Sequence, residues 1–383
     1  APVAWFGEPA GNSGFWAITR LDNLVEVHRD HRTFSSQVGG TELEELEKDP
    51  EAREARRTML ETDPPEHTRI RKLVSRNFTR GAIEKWESTA RALIAENMDE
   101  ALLDHRVDFV ETVARKFPIQ MISKLLGVPD QDAEQLFHWA DAVVYHNDPD
   151  FSELLYDKED TEPYRLLPFR SPSSLKVFEY AQKLANERAK RPEADVVSIL
   201  AASEELTPSE FQTFFLLLVI AGNETTRHSL SHGALALAKF PGQLDRLREE
   251  PDLMGAATEE ILRWASPQIH FRRTAVCDTE LAGVPISAGD KVVMWYISAN
   301  YDERAFADPF TLDLSRNPNP HVTFGGGGPH ICLGAWMARL EVRVFLEEVV
   351  RRIRRIQLDG EPERIRSNFI NGLKHLPLTL EPL

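Results

Sequence analysis

Pro320-His321-Val322-Thr323-Phe324-Gly325-Gly326-Gly327-Gly328-Pro329-His330-Ile331-Cys332-Leu333-Gly334-Ala335 is the stretch around which the chain is organised, with Cys332 at its centre. Consecutive glycines allow backbone conformations and close approaches that any side chain would block. Pro329 stiffens the run that follows, so the loop is built to hold one thiol in a fixed place. An apolar and basic helical pattern then begins at Trp336. A thiol beside a helix start is expected to be shifted toward its thiolate by the helix dipole and unpaired N–H groups. A thiolate held in this way against something large and flat suggests a ligand to haem iron.

Composition narrows the classes around that loop. A length of 383 residues would allow two or three domains, but no Gly/Ser-rich or Pro-rich linker and no internal repeat divides the chain. One unit over 1–383 is therefore expected. A hydrophobic fraction of 42% and a mean hydropathy of −0.36 are those of a soluble globular protein. The most apolar run, Phe214 to Gly222, is shorter than the roughly 20 residues that span a bilayer, so no membrane insertion is expected. Two cysteines, Cys277 and Cys332, make no disulfide framework, and the cytoplasm is the expected compartment. Forty-five basic against 61 acidic residues give a net charge of −16, which argues against nucleic acid as a partner. Arg69, Arg71, Lys72, Arg76, Arg80 and Lys85 nevertheless stand together, opposed only by Glu84. They form either an ordinary solvated helix face or a patch that steers an acidic partner.

Phe324, the glycine run, His330, Cys332, Gly334 and Ala335 resemble the haem-binding loop of the cytochrome P450 superfamily. The plainer alternative is a glycine-rich turn around a buried cysteine. The resemblance implies a mainly α fold with a smaller β region, a long central helix over haem b and a proximal loop whose cysteine ligates the iron. The family pattern usually has Phe seven residues before the cysteine; here that position is Gly325 and Phe324 lies one earlier. The displaced Phe with four glycines resembles a bacterial branch that hydroxylates sterol side chains and methyl-branched lipids.

Four further motifs stand in the family's order. Asp63-Pro64-Pro65-Glu66 opens a helix that puts His67 and Arg71 on one face, resembling the pair that holds a haem propionate. Thr207-Pro208-Ser209-Glu210 is a capping box for a long helix from Phe211 to about Leu237. Its apolar middle turns abruptly polar at Gly222, Asn223, Glu224, Thr225 and Thr226. A glycine and a carboxylate inside a buried helix are costly unless used. The resemblance makes Glu224 and Thr225 an acid–alcohol pair that manages protons, with Ala221 and Gly222 beside the oxygen and substrate space and the helix backbone loosened there. The plainer alternatives are a back-bond from Thr225 to the Ala221 carbonyl and a structural ion pair for Glu224. Glu260 and Arg263, with Arg316, resemble the Glu–Arg–Arg cluster that braces the haem-binding core. Arg273, five residues before Asp278, matches a second propionate-binding arginine and is preferred over Arg272. His330 joins this propionate set, and Phe369 and Ile370 are the pocket-lining candidates in Ser367 to Lys374.

The remaining segments carry less. Glu42 to Arg57 is either a solvated helix or loop or, by resemblance, a lid. Asn147 to Ser174 is rich in Asp and Pro, with Phe151, Tyr156 and Phe169 among them, and is either a plain long loop or the entrance cover. Cys277 is expected as a small, partly buried strand residue, Trp336 to Ile356 as one helix, and Asn371-Gly372 as a two-residue hairpin turn. The implied activity is insertion of one oxygen atom from O2 into a C–H bond of an apolar small molecule, such as a sterol, terpenoid or branched lipid. Electrons are expected from a separate ferredoxin-type donor with its reductase, since no flavin or nicotinamide motif occurs. A peroxide-driven peroxygenase and a non-catalytic haem sensor are the competing readings.

Overall fold

The computed structural model describes every residue except 9–11, 153, 156 and 157, so the expectation for Tyr156 lies outside the described residues. The architecture is mainly α with a smaller β region. One helix, Pro208–Lys239, runs through the interior. Thr207 Oγ1 accepts from the Glu210 N–H and the Glu210 carboxylate accepts from the Thr207 N–H, so the capping box forms and Pro208 occupies the first turn. Helices Lys116–Leu126, Asp130–Val144, Ser173–Lys190 and Met254–Ala265 pack against it, and Ala335–Arg352 closes the other side. A large apolar cluster fills the space between these helices, with Phe117, Phe137, Phe214, Phe215 and Phe345 fully buried.

A five-stranded sheet lies to one side, in the order Val3–Phe6, Phe15–Ile18, Lys291–Trp295, His270–Ala275, Phe34–Ser35. Phe15–Ile18 and Lys291–Trp295 pair in parallel and the other neighbours are antiparallel. This sheet has its own apolar cluster and delivers Arg273 to the interior.

Three expectations fail here. The helix that starts beside the cysteine loop ends at Arg352, not Ile356, and Ile353–Leu358 is a strand. That strand pairs with Pro377–Pro382, with a register shift near Arg354, and buries Ile353 and Ile356, so tertiary pairing overrides the helical pattern. Asn371-Gly372 is not a two-residue turn: the paired strands are Glu363–Arg364 and Leu373–His375, with a longer loop between them. Asn371 anchors that loop instead, its N–H on the Pro267 carbonyl and its Nδ2 on the Ala265 carbonyl at 2.9 Å. Cys277 lies just beyond a strand and is exposed.

Glu260 and Arg263 are fully buried, and Arg316 joins them from a partly buried position. Arg263 reaches the Glu260 carboxylate with two nitrogens at 2.7 and 2.8 Å, and Arg316 adds a third contact at 3.1 Å. Arg263 also holds the Asn300 and Pro309 carbonyls, tying Met254–Ala265 to the segment that enters the cysteine loop. Glu260→Ala strands two guanidiniums in the interior and is expected to cost about 3–5 kcal/mol. Denaturant unfolding of the variant checks this, and an unchanged midpoint would remove the bracing role.

Candidate active site

The cysteine loop closes on itself before it meets anything else. The Cys332 N–H donates to the Phe324 carbonyl at 2.9 Å, and the Gly325 N–H to the Val322 carbonyl at 2.8 Å. Gly328 has φ +72°, and a Cβ there would stand 2.3 Å from the His28 carbonyl oxygen. Glycine is required at that position by both conformation and contact. The Phe324 ring lies under the Arg339 guanidinium at 4.4 Å and lines the cavity.

Cys332 forms part of the wall of one internal cavity, and its accessible surface is cavity surface. Burial pushes the thiol up, against the pull of the Gly334 N–H, Arg71 and Arg339. This corrects the expectation of a thiol shifted toward its thiolate: desolvation outweighs the N–H group and the cations. A metal cation bound to the sulfur reverses that balance, because a coordinating thiol is deprotonated outright.

Arg71, Arg273 and His330 stand on the same cavity wall. Arg272 does not: it pairs with Glu47 at 2.8 Å and donates to the Glu44 carbonyl. His67 lies behind His330, its ring 4.3 Å away, and neither of its buried ring nitrogens has a hydrogen-bond partner. His330 Nε2 meets Ser36 Oγ at 3.2 Å, and its Nδ1 is unpartnered. Burial, with nearby arginine charge, holds His67 down to about 4 and His330 well below its ordinary value. Two guanidiniums beside unsatisfied imidazoles in a buried space suit the carboxylates of a large apolar group. A haem with its sulfur ligand and propionates fits this donor set.

Across the cavity stands the polar break of Pro208–Lys239. Ala221, Gly222, Glu224 and Thr225 all reach the wall. A Cβ on Gly222 would stand 2.7 Å from the Ile122 side chain, so any larger residue would have to displace it. The helix is unbroken here, contrary to the expected loosening. Thr225 Oγ1 donates to the Ala221 carbonyl at 3.1 Å. Glu224 is almost wholly buried and pairs with Arg227 at 3.0 Å, while Asn223 Nδ2 donates to its Oε1 at 2.8 Å. Both plainer alternatives are thus present, and both side chains still face the cavity. The second Glu224 oxygen, Oε2, has no hydrogen-bond partner.

Several residues in and around the cavity escaped the sequence reading. Arg227 also holds Asp141 at 2.9 Å, so two buried carboxylates share one guanidinium. Burial, opposed by Arg227 and assisted by Glu224, pushes the Asp141 carboxyl up to about 8. His28 Nε2 and Tyr296 Oη lie 2.6 Å apart on the wall near Arg273. Glu341 is buried with an unpartnered Oε2, and burial raises its carboxyl well above its ordinary value. Phe369 and Ile370 line the cavity as expected, joined by Phe169 and Phe271. Glu42 to Arg57 is a cover rather than a solvated face: Thr41, Glu42, Glu44, Leu46, Arg53 and Arg56 all line the cavity.

Comparison with known proteins follows the same geometry. The family model described as Cytochrome P450 matches residues 18–378. The steroid C26-monooxygenase of Mycobacterium tuberculosis is 39% identical over 98% of this chain and 86% of its own length. The methyl-branched lipid omega-hydroxylase of the same organism is 40% identical over 99% of this chain and 88% of its own length. A Mycobacterium marinum cytochrome P450 solved in complex with pseudoionone superposes with a TM-score of 0.89 at 40% identity, covering 99% of this chain and 91% of that one. Among the described residues no helix is long and apolar enough to cross a membrane. With the cysteine loop, the central helix and the family match in agreement, the chain belongs to the cytochrome P450 family and is a haem-thiolate monooxygenase.

Proposed function

We propose that the protein inserts one oxygen atom from O2 into a terminal C–H bond of a sterol or methyl-branched lipid, using electrons from a separate ferredoxin-type donor with its reductase. One observation carries the reading: a single cavity joins Cys332, the Glu224–Thr225 pair and an apolar wall that includes Ile122, Leu125, Leu217 and Phe271. Steroid C26 and a lipid omega carbon are both chain termini, so the relatives' names favour reaction at an apolar end. When bound, the haem supplies an electron-rich iron that favours O–O cleavage.

The chain's own residues supply the rest. Cys332 would provide the sulfur ligand to the iron, and His67, Arg71, Arg273 and His330 would hold the propionates. Thr225 presents its hydroxyl to the reacting space, anchored by its bond to the Ala221 carbonyl. Glu224 moves protons through Oε2, which faces the His228 Nε2 at 3.6 Å, while Oε1 stays fixed by Arg227 and Asn223. Phe169, Phe369 and Ile370 exclude water and fit the substrate.

The basic patch changes in detail. Arg69 is engaged with Glu66 and Glu210, Arg71 faces the cavity, and Arg80 pairs with Glu84 at 2.8 Å. Lys72, Arg76 and Lys85 remain exposed and are the charges proposed to meet an acidic donor. Changing all three to Gln should slow reduction at low salt and flatten its salt dependence, measured by stopped flow. Unchanged kinetics would remove this docking site.

Turnover with a ferredoxin and reductase tests the chemistry. Thr225→Ala should lower hydroxylated product by about 10²-fold while electrons are diverted to hydrogen peroxide. Glu224→Gln should slow turnover with a larger solvent isotope effect. Full product yield from Thr225→Ala, or efficient turnover by wild-type protein on hydrogen peroxide alone, would favour a peroxygenase instead.

A further inference from the structure

The covering segment carries several polar groups into the cavity, and all but one are already engaged. Thr41 Oγ1 donates to Glu61 at 2.7 Å. Glu61 in turn accepts from the Thr58 N–H at 2.9 Å. Glu44 is held by Arg56 at 2.5 Å and by Arg170 at 2.7 Å, and Arg53 donates to the Val38 carbonyl at 2.9 Å. Arg56 further donates to the Arg165 carbonyl. Glu42 is the exception. It lines the same cavity as Cys332, yet among the described residues no hydrogen bond or ion pair reaches its carboxyl. A carboxyl in an enclosed, largely apolar space without a partner is costly, unless a ligand completes it.

We propose that Glu42 is a specificity-determining residue that binds a neutral oxygen, a hydroxyl or ketone, at the end of the substrate opposite the carbon that reacts. The inference rests on the terminal-carbon reading given above and deepens it. A long apolar substrate whose far end meets the iron must place its polar end among the covering residues. Burial, then the charges of Glu61 and Glu44, push the Glu42 carboxyl up to about 8 against the opposing pull of Arg56. At neutral pH it is therefore mainly the acid, able to donate to a ketone and to accept from a hydroxyl. A carboxylate head is disfavoured, because it would meet Glu44 and Glu61 while Arg56 and Arg53 are already engaged. The neutral oxygen needs no counter-charge and completes the Glu42 carboxyl.

Spin-state titration of the haem-loaded protein tests the proposal. The ligands are cholesterol against cholest-5-ene, the same frame without the hydroxyl, and phytanol against phytane. Wild-type protein should bind the oxygenated member of at least one pair about tenfold more tightly, the worth of one buried hydrogen bond. Glu42→Gln keeps donor and acceptor and should retain the preference; Glu42→Leu should abolish it while still binding the hydrocarbon. Thermal melting and haem content of each variant verify that the fold is intact. A preference that survives Glu42→Leu, or wild-type protein that shows no preference in either pair, overturns the role of Glu42 alone. Wild-type protein that binds no member of either pair overturns the sterol and lipid reading, and this proposal with it.

Discussion

A single sulfur on the wall of a largely apolar cavity sets the terms for the rest of the molecule. Desolvation raises the Cys332 thiol, so the isolated chain disfavours the thiolate that its family uses. A bound haem iron would resolve the conflict, and its porphyrin would bring two carboxylates that need cations. Arg71 and Arg273 stand ready on the wall, with Nδ1 of His330 and, behind it, both ring nitrogens of His67 still unpartnered. Bracing is correspondingly rigid: Glu260, Arg263 and Arg316 lock the approach to the loop, and Glu259 binds Arg339 at 2.7 Å beside Phe324.

The central helix meets a different demand on the opposite side. Its interior must be apolar to pack and polar where protons are needed. Gly222 admits Ile122, Thr225 folds its hydroxyl back onto its own helix, and Glu224 shares Arg227 with Asp141. Structural satisfaction and cavity access coexist in each case. An ion pair at Glu224 is therefore no argument against proton transfer, since Oε1 carries the bonds to Arg227 and Asn223 while Oε2 meets only His228 Nε2 at 3.6 Å.

Legibility in the sequence followed distance along the chain. The cysteine loop, the His67–Arg71 face and the capping box at Thr207 are local patterns whose physics is contained within a few residues. The role of Glu260 needed the family resemblance, because a carboxylate three residues before an arginine is common in any helix. Asp141–Arg227 and His28–Tyr296 meet across 86 and 268 positions and leave no local trace. The helix-to-strand change at Ile353 was hidden because an arginine-rich run with spaced isoleucines suits either state until Pro377–Pro382 pairs with it. Glu42 looked like one more charge in a solvated run, and only the cavity makes it distinct.

The central claim is that Cys332 ligates haem iron as a thiolate, and the absorption spectrum of the reduced protein under carbon monoxide tests it most directly. The account predicts a Soret band at the long wavelength of thiolate-ligated haem, moved to the imidazole-ligated position in Cys332→His. A wild-type band at the imidazole position, a long-wavelength band that survives Cys332→His, or a chain that takes up no haem would contradict it.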